Sequence, residues 1–86
     1  MKRRQANVVS IDAGRRDLTE RERRVLTELA LGCSTEEVAA AMHLSPHTVR
    51  SHIKSALRKL RAQTRSHAVA IALARGEIDV DLLLTG

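Results

Sequence analysis

No phenylalanine, tyrosine or tryptophan occurs anywhere in the 86 residues. A folded core must therefore be built from Leu, Val, Ile, Ala and Met, side chains that suit helix faces packed closely together, and Ala and Leu themselves favour helix. The chain is long enough for one small domain, and too short for a second lobe enclosing a large substrate cleft.

Residues 1–17 show no sustained helical period and offer only Val8, Val9 and Ile11 as apolar anchors, which reads as a mobile basic arm. The pattern changes at Thr19. Thr19-x-x-Glu22 is a capping box, in which hydroxyl and carboxylate satisfy amides left free at a helix start. It predicts a helix to about Leu31, with Val25, Leu26 and Leu29 on one buried stripe, Arg21, Arg23, Arg24 and Glu28 in solvent, and Gly32 as the stop. Ser34-x-x-Glu37 repeats the box and opens a short helix through Met42, with Val38, Ala39 and Met42 inward. Ser45-Pro46 starts a third helix reaching about Ala62, because serine caps and proline is tolerated at the first helical position. A fourth is expected from about Thr64 to Gly76, carrying Ala68, Val69, Ile71, Ala72 and Leu73. The tail, 77–86, is acidic and apolar together; folding back, covering a partner and fraying all fit that composition.

The link His43-Leu44-Ser45 between the second and third helices has the helix-turn-helix layout, with Leu44 expected to fill the space between them. The expected architecture is thus all-α, with 18–76 as the domain between the arm and the tail.

Charge is distributed as unevenly as it is abundant. The formal net charge is +5, yet no acidic residue lies between Glu37 and Glu77, a stretch holding Arg50, Lys54, Arg58, Lys59, Arg61, Arg65, Arg75 and His43, His47, His52 and His67. A segment of one sign attracts phosphate strongly. Without aromatic side chains the stacking platforms that hold single-stranded nucleic acid are missing, so duplex DNA is the nucleic acid that remains.

At about 100° per residue, Val49, Ile53, Ala56, Leu57 and Leu60 of the third helix fall within one arc roughly 100° wide, which should face the core. His47, Arg50, Ser51, Lys54, Arg58 and Arg61 gather opposite, almost all of them donors. Recognition helices present their early residues to the groove floor, and Arg or Lys donates to guanine N7 and O6, so Arg50, Ser51 and Lys54 are the expected base readers. Ser45, His47 and Thr48 lie beside the free amides of the helix start and suit phosphate, as does Arg58 farther along. His52 and Lys59 sit on a flank about 130–150° around from the readers, where phosphate contact or intrahelical bonding is expected.

Other chemistries find little support. Cys33 is the only cysteine, so neither an intrachain disulfide nor a multi-thiolate zinc site can form; a packing role and a reduced, cytoplasmic setting fit it. His43 and His47 have helical metal-pair spacing, but Ser45 and Pro46 break the helix between them, and no metal or cofactor is expected. No strained nucleophile turn or oxyanion loop accompanies the serines and histidines, so no enzyme activity is expected. The start lacks a signal-type apolar stretch and no segment approaches the roughly 20 apolar residues of a membrane span.

The run LTERERRVLTELALGCSTEEVAAAMHLSPHTVRSHIKSALRKLRAQTRSHAVAIALARG, residues 18–76, resembles the LuxR/NarL-type (GerE-like) helix-turn-helix family. The resemblance rests on LTERE, Gly32 before the second helix, LSPHTVRSHI, the Lys59-Leu60 pair, and Arg65 with Ala68 opening a fourth helix. It implies a four-helix fold, the third helix in the major groove, base contacts from Arg50, Ser51 and Lys54, and Thr48 and His52 near the DNA backbone. Arg65 is counted with the backbone contacts. It further implies a homodimer through the fourth helix with Val69, Ile71 and Leu73 in its seam, although the same residues also read as monomer core. Glu20, Arg24 and Arg61-Ala62-Gln63 depart from the family pattern, the last replacing a glycine-containing turn.

The expected function is that of a stand-alone, sequence-specific transcription regulator, with RNA polymerase or another regulator as a further partner. Region four of a sigma factor is similar over 18–62, and a protein-interaction module using the basic helix or the apolar tail is the alternative outside DNA binding.

Overall fold

The computed structural model describes residues 17–79 and Asp81. The expectation of a mobile arm, apart from Asp17, and the fate of most of the tail therefore lie outside the described residues. In chain order the helices are α1 (Glu20–Ala30), α2 (Thr35–Met42), α3 (Pro46–Leu60) and α4 (Arg65–Ala74). Among the described residues there is no strand.

Each helix starts on a hydroxyl. Thr19, Ser34, Ser45 and Thr64 hold extended backbone, and each side-chain oxygen accepts from the amide three residues on, at 3.1, 3.1, 3.0 and 3.0 Å. Such caps contribute about 1 kcal/mol each. In α1 and α2 the box is closed by Glu22 and Glu37, which accept from the Thr19 and Ser34 amides. In α3 and α4 the corresponding positions hold Thr48 and His67, so neither helix start carries a carboxylate.

All four helices end by the same hydrogen-bond pattern, with one residue in the left-handed region. Gly32 (φ 98°) and Gly76 (φ 74°) stop α1 and α4, where glycine meets no Cβ penalty. His43 (φ 57°) and Arg61 (φ 56°) do the same for α2 and α3 without that freedom. The bonds are equivalent: Cys33 N donates to Glu28 O at 3.0 Å, Leu44 N to Ala39 O at 2.9 Å, Ala62 N to Leu57 O at 2.9 Å and Glu77 N to Ala72 O at 2.8 Å. α3 therefore stops at Leu60 rather than near Ala62, and Arg61 belongs to the turn. The departure from a glycine-containing turn changes the residue and keeps the geometry.

The core has two halves that meet at α1 and α3. On one side Val25 of α1 packs with Val38 and Ala39 of α2 and Val49 and Ile53 of α3; Leu44 joins this cluster, which is the plugging role expected of it. On the other, Leu26 of α1 packs with Ala56 and Leu60 of α3 and Ala68 and Ala72 of α4. Leu29 and Leu57 touch both halves. Ala56, Ala68 and Ala72 have no exposed surface at all. With no aromatic ring to spread helices apart, alanine permits the close approach, and larger side chains here would overpack by about 1–3 kcal/mol.

At the C-terminal end the body runs past the expected boundary at Gly76. Leu18, at the expected start, and Ile78 are both buried in the α4-side cluster, so the segment after α4 folds back on the body through Ile78.

Candidate nucleic-acid interface

α3 has the two faces its spacing requires. Val49, Ile53, Ala56 and Leu60 are buried, while His47, Arg50, Ser51, Lys54 and Arg58 are exposed in a row on the opposite side. The row begins beside the N-terminus of the helix. There Ser45 Oγ and Thr48 Oγ1 lie 2.9 Å apart and the Thr48 amide donates to Ser45, leaving hydroxyls and amides at the positive end of the helix with no carboxylate among them. Arg58 is close enough to Ser55 for a weak hydrogen bond at 3.4 Å, which leaves most of its guanidinium free.

Two of the expected backbone contacts are placed differently from the rest. Lys59 points inward: its Nζ donates to Glu22 Oε1 at 2.8 Å, with side-chain exposures of 18% and 5% for the two partners. The ammonium is thus paired with a buried carboxylate, a partner that any phosphate contact from Lys59 would have to compete with. His52 is half-buried on the flank, and its Nε2 is enclosed without a hydrogen-bond partner, so any phosphate contact from it must use Nδ1.

Glu22 shows what sequence reasoning missed. The capping box marks it as a capping residue only, yet it also accepts from Lys59. Burial alone would raise its pKa, but the hydrogen bonds from Lys59, the Thr19 amide and Ser55, with the charge of Lys59, outweigh this and hold it below the ordinary glutamate value. The signal was available: Glu22 precedes Val25 and Leu26 by three and four residues, so it lies on the buried stripe. Arg23 is likewise not a free solvent residue, because its Nη1 donates to Glu77 Oε1 at 3.0 Å and ties α1 to the segment after α4. Cys33 donates to Glu28 Oε1 at 3.6 Å, and burial, then Glu28 and Glu37, push its thiol pKa up, away from thiolate reactivity.

The expected dimer seam is not one face. Val69, Ile71 and Leu73 are all half-buried and packed against the α4-side core. Ile71 lies about 200° around the helix from Val69 and about 160° from Leu73, so it occupies the opposite flank. The strip of α4 that faces outward carries Ser66 and Ala70, both exposed, bordered by Val69 and Leu73 on one side and by Ile71 on the other. Val69 and Ser66 also line a groove of about 430 Å³ running to Leu29, Gly32 and Cys33. A larger open groove of about 660 Å³ lies along α1, but arginines and glutamates both line it, which does not suit an anion.

Among the described residues no group of three or more His, Cys, Asp or Glu is placed to hold a metal, and no helix is long and apolar enough to cross a membrane.

A four-helix body in which α2 and α3 are joined through a capped turn, the second bearing an acid-free basic face, defines a helix-turn-helix DNA-binding domain. The chain belongs to the luxR family of bacterial regulatory proteins, whose family model matches residues 16–72. It is 41% identical over 63 residues to the spore germination protein GerE of Bacillus subtilis (strain 168), covering 73% of this chain and 85% of GerE. It is 45% identical over 56 residues to the uncharacterized transcriptional regulatory protein YhcZ of the same organism, covering 65% of this chain but only 26% of YhcZ. The solved structure of the transcription factor GerE superposes with a TM-score of 0.71 at 36% identity, covering 74% of this chain and 96% of that one. VqmA of Vibrio cholerae gives 0.67 at 31% identity, covering 78% of this chain and 32% of VqmA. The chain thus spans about a quarter of YhcZ and most of GerE. It is a DNA-binding domain of a transcription-regulator family, and the match into α4 sets the sigma-type alternative aside.

Proposed function

We propose that the chain is a sequence-specific transcription regulator that inserts α3 into the major groove of duplex DNA and binds as a dimer through α4. The observation that carries this reading is the exposed row His47, Arg50, Ser51, Lys54 and Arg58 opposite the buried row of the same helix, within a stretch free of acidic residues. Arg50, Ser51 and Lys54 lie on the first turns and read base edges. Ser45, His47, Thr48 and Arg58 hold phosphate, with His52 contributing through Nδ1.

Dimerisation is supported by the outward strip Ser66, Val69, Ala70 and Leu73, whose small central residues allow a second α4 to approach. VqmA, a structural relative, is described as a dimer. A single helix-turn-helix makes few phosphate contacts, and pairing two copies supplies both affinity and specificity. The effect on transcription then runs through RNA polymerase or another regulator, in the cytoplasm.

Selection of bound duplexes from a random library at two salt concentrations tests the proposal. A palindromic motif with affinity falling steeply with salt is expected. Recovery of random sequence at both salts would refute specific readout, and a non-palindromic motif would refute the dimer.

A further inference from the structure

α2 and α4 sit on opposite halves of the core, α2 on the Val25 side of α1 and α4 on the Leu26 side. A hydrogen bond nonetheless spans them. Arg65, the exposed first residue of α4, donates from Nη1 to Oγ1 of Thr35, the first residue of α2, in a long bond of 3.4 Å that leaves its other donors free. Thr35 is only 8% exposed, so packing holds its hydroxyl in place and makes it a fixed point for the longer arginine side chain. Arg65 reaches it beside the groove formed by Leu29, Gly32, Cys33 and Val69.

The two helices joined in this way do different work. In helix-turn-helix docking the first helix lies across the DNA backbone and sets the angle of the second in the groove. α4 carries the proposed seam. The angle between α2 and α4 therefore decides how far each reading helix stands from the two-fold axis, and hence which half-site separation two copies can span. A guanidinium is suited to hold such an angle because its planar fork is already organised, so little freedom is lost when it bonds.

We infer that Arg65 is a positioning strut between the helix-turn-helix and the dimer helix, setting half-site spacing through Thr35. This inference rests on the dimer reading of α4.

The test uses the full chain, its R65Q and T35V variants and the double variant. Each is titrated against single half-site duplexes and against palindromes whose half-sites are moved one or two base pairs closer or farther apart. The wild type is expected to prefer one spacing. Each single variant should lose about fivefold at that spacing and flatten the preference, the double variant should lose no more than either alone, and the half-site salt slope should stay that of the wild type. A half-site salt slope lowered by about 1 in R65Q, with T35V behaving as wild type, would make Arg65 a phosphate contact and overturn the strut. So would an R65Q dimer that keeps the wild-type spacing preference. A wild type that binds as a monomer and ignores spacing would overturn the dimer reading, and the spacing role with it.

Discussion

Lys59 of α3 donates to the Glu22 carboxylate of α1 at 2.8 Å, joining residues 37 positions apart through a contact that solvent barely reaches. The same carboxylate accepts from the amide of Thr19 at 2.8 Å, so one side chain both caps its own helix and anchors the helix that meets DNA. Removing Lys59 leaves Glu22 buried without its counter-charge. Lys59→Met should therefore cost about 3 kcal/mol in urea unfolding, seen as a lower midpoint at constant slope. Because the ammonium is paired with Glu22, the salt dependence of DNA binding by the folded variant should match the wild type; a slope reduced by about 1 would return Lys59 to the DNA-contacting set.

The pH dependence follows from the same group. The folded pKa of Glu22 lies below the ordinary glutamate value of 4.5, so the stability it contributes is fully present above that value and is lost as pH falls through the lower, folded pKa. Acid unfolding of the wild type below about pH 4.5 should be less steep in Glu22→Gln, which has no charge to lose. Superimposable pH profiles for the two would show that the pair contributes nothing to acid sensitivity.

Arg61 and His43 occupy left-handed backbone at φ 56° and 57°. A side chain there costs about 1–2 kcal/mol, partly offset by the entropy glycine loses on folding, so Arg61→Gly should stabilise the domain by about 0.5–1 kcal/mol. The reverse change, Gly76→Ala, meets no atom within 4 Å of the added Cβ. Its penalty is that of backbone alone, about 1–2 kcal/mol. Thermal unfolding of both variants measures the two signs; a loss of stability in Arg61→Gly would mean that the arginine makes a contact outweighing its strain.

Base reading and phosphate contact differ in what they do to specificity. Arg50→Ala should lose about 1–3 kcal/mol on the cognate duplex and relax one base position. Arg58→Ala should weaken cognate and random duplexes alike and lower the salt slope by about 1. Titrations on both duplexes separate these roles, and equal losses on the two for Arg50→Ala would remove it from the readers.

Ala70 is exposed at the middle of the outward strip of α4 and leaves the core untouched. Ala70→Arg should abolish dimers in sedimentation and weaken binding to a palindrome, with the unfolding midpoint and half-site affinity preserved. A dimer unaffected by this bulky charge would place the interface elsewhere.

The features legible in the sequence are ones whose physics is local. The hydroxyl caps at Thr19, Ser34 and Ser45, the proline at the start of α3, the stops at Gly32 and Gly76, and the buried and exposed rows of α3 each depend on residues within a few positions, and each stands where the spacing put it. Arg61 escaped because a left-handed stop usually advertises itself as glycine or asparagine, and an arginine carries no such signal.

What the sequence by itself determined is therefore the all-helical class, the helix-turn-helix and the basic face of α3, because periodicity and capping are set by neighbours along the chain. Only the tertiary structure decided that Lys59 pairs with Glu22, that Arg65 reaches Thr35, that Ile71 stands apart from Val69 and Leu73, and that the body runs on to Ile78. Where a long, flexible cation ends depends on which distant side chain folding brings within reach, and the spacing of residues along one helix carries no information about that.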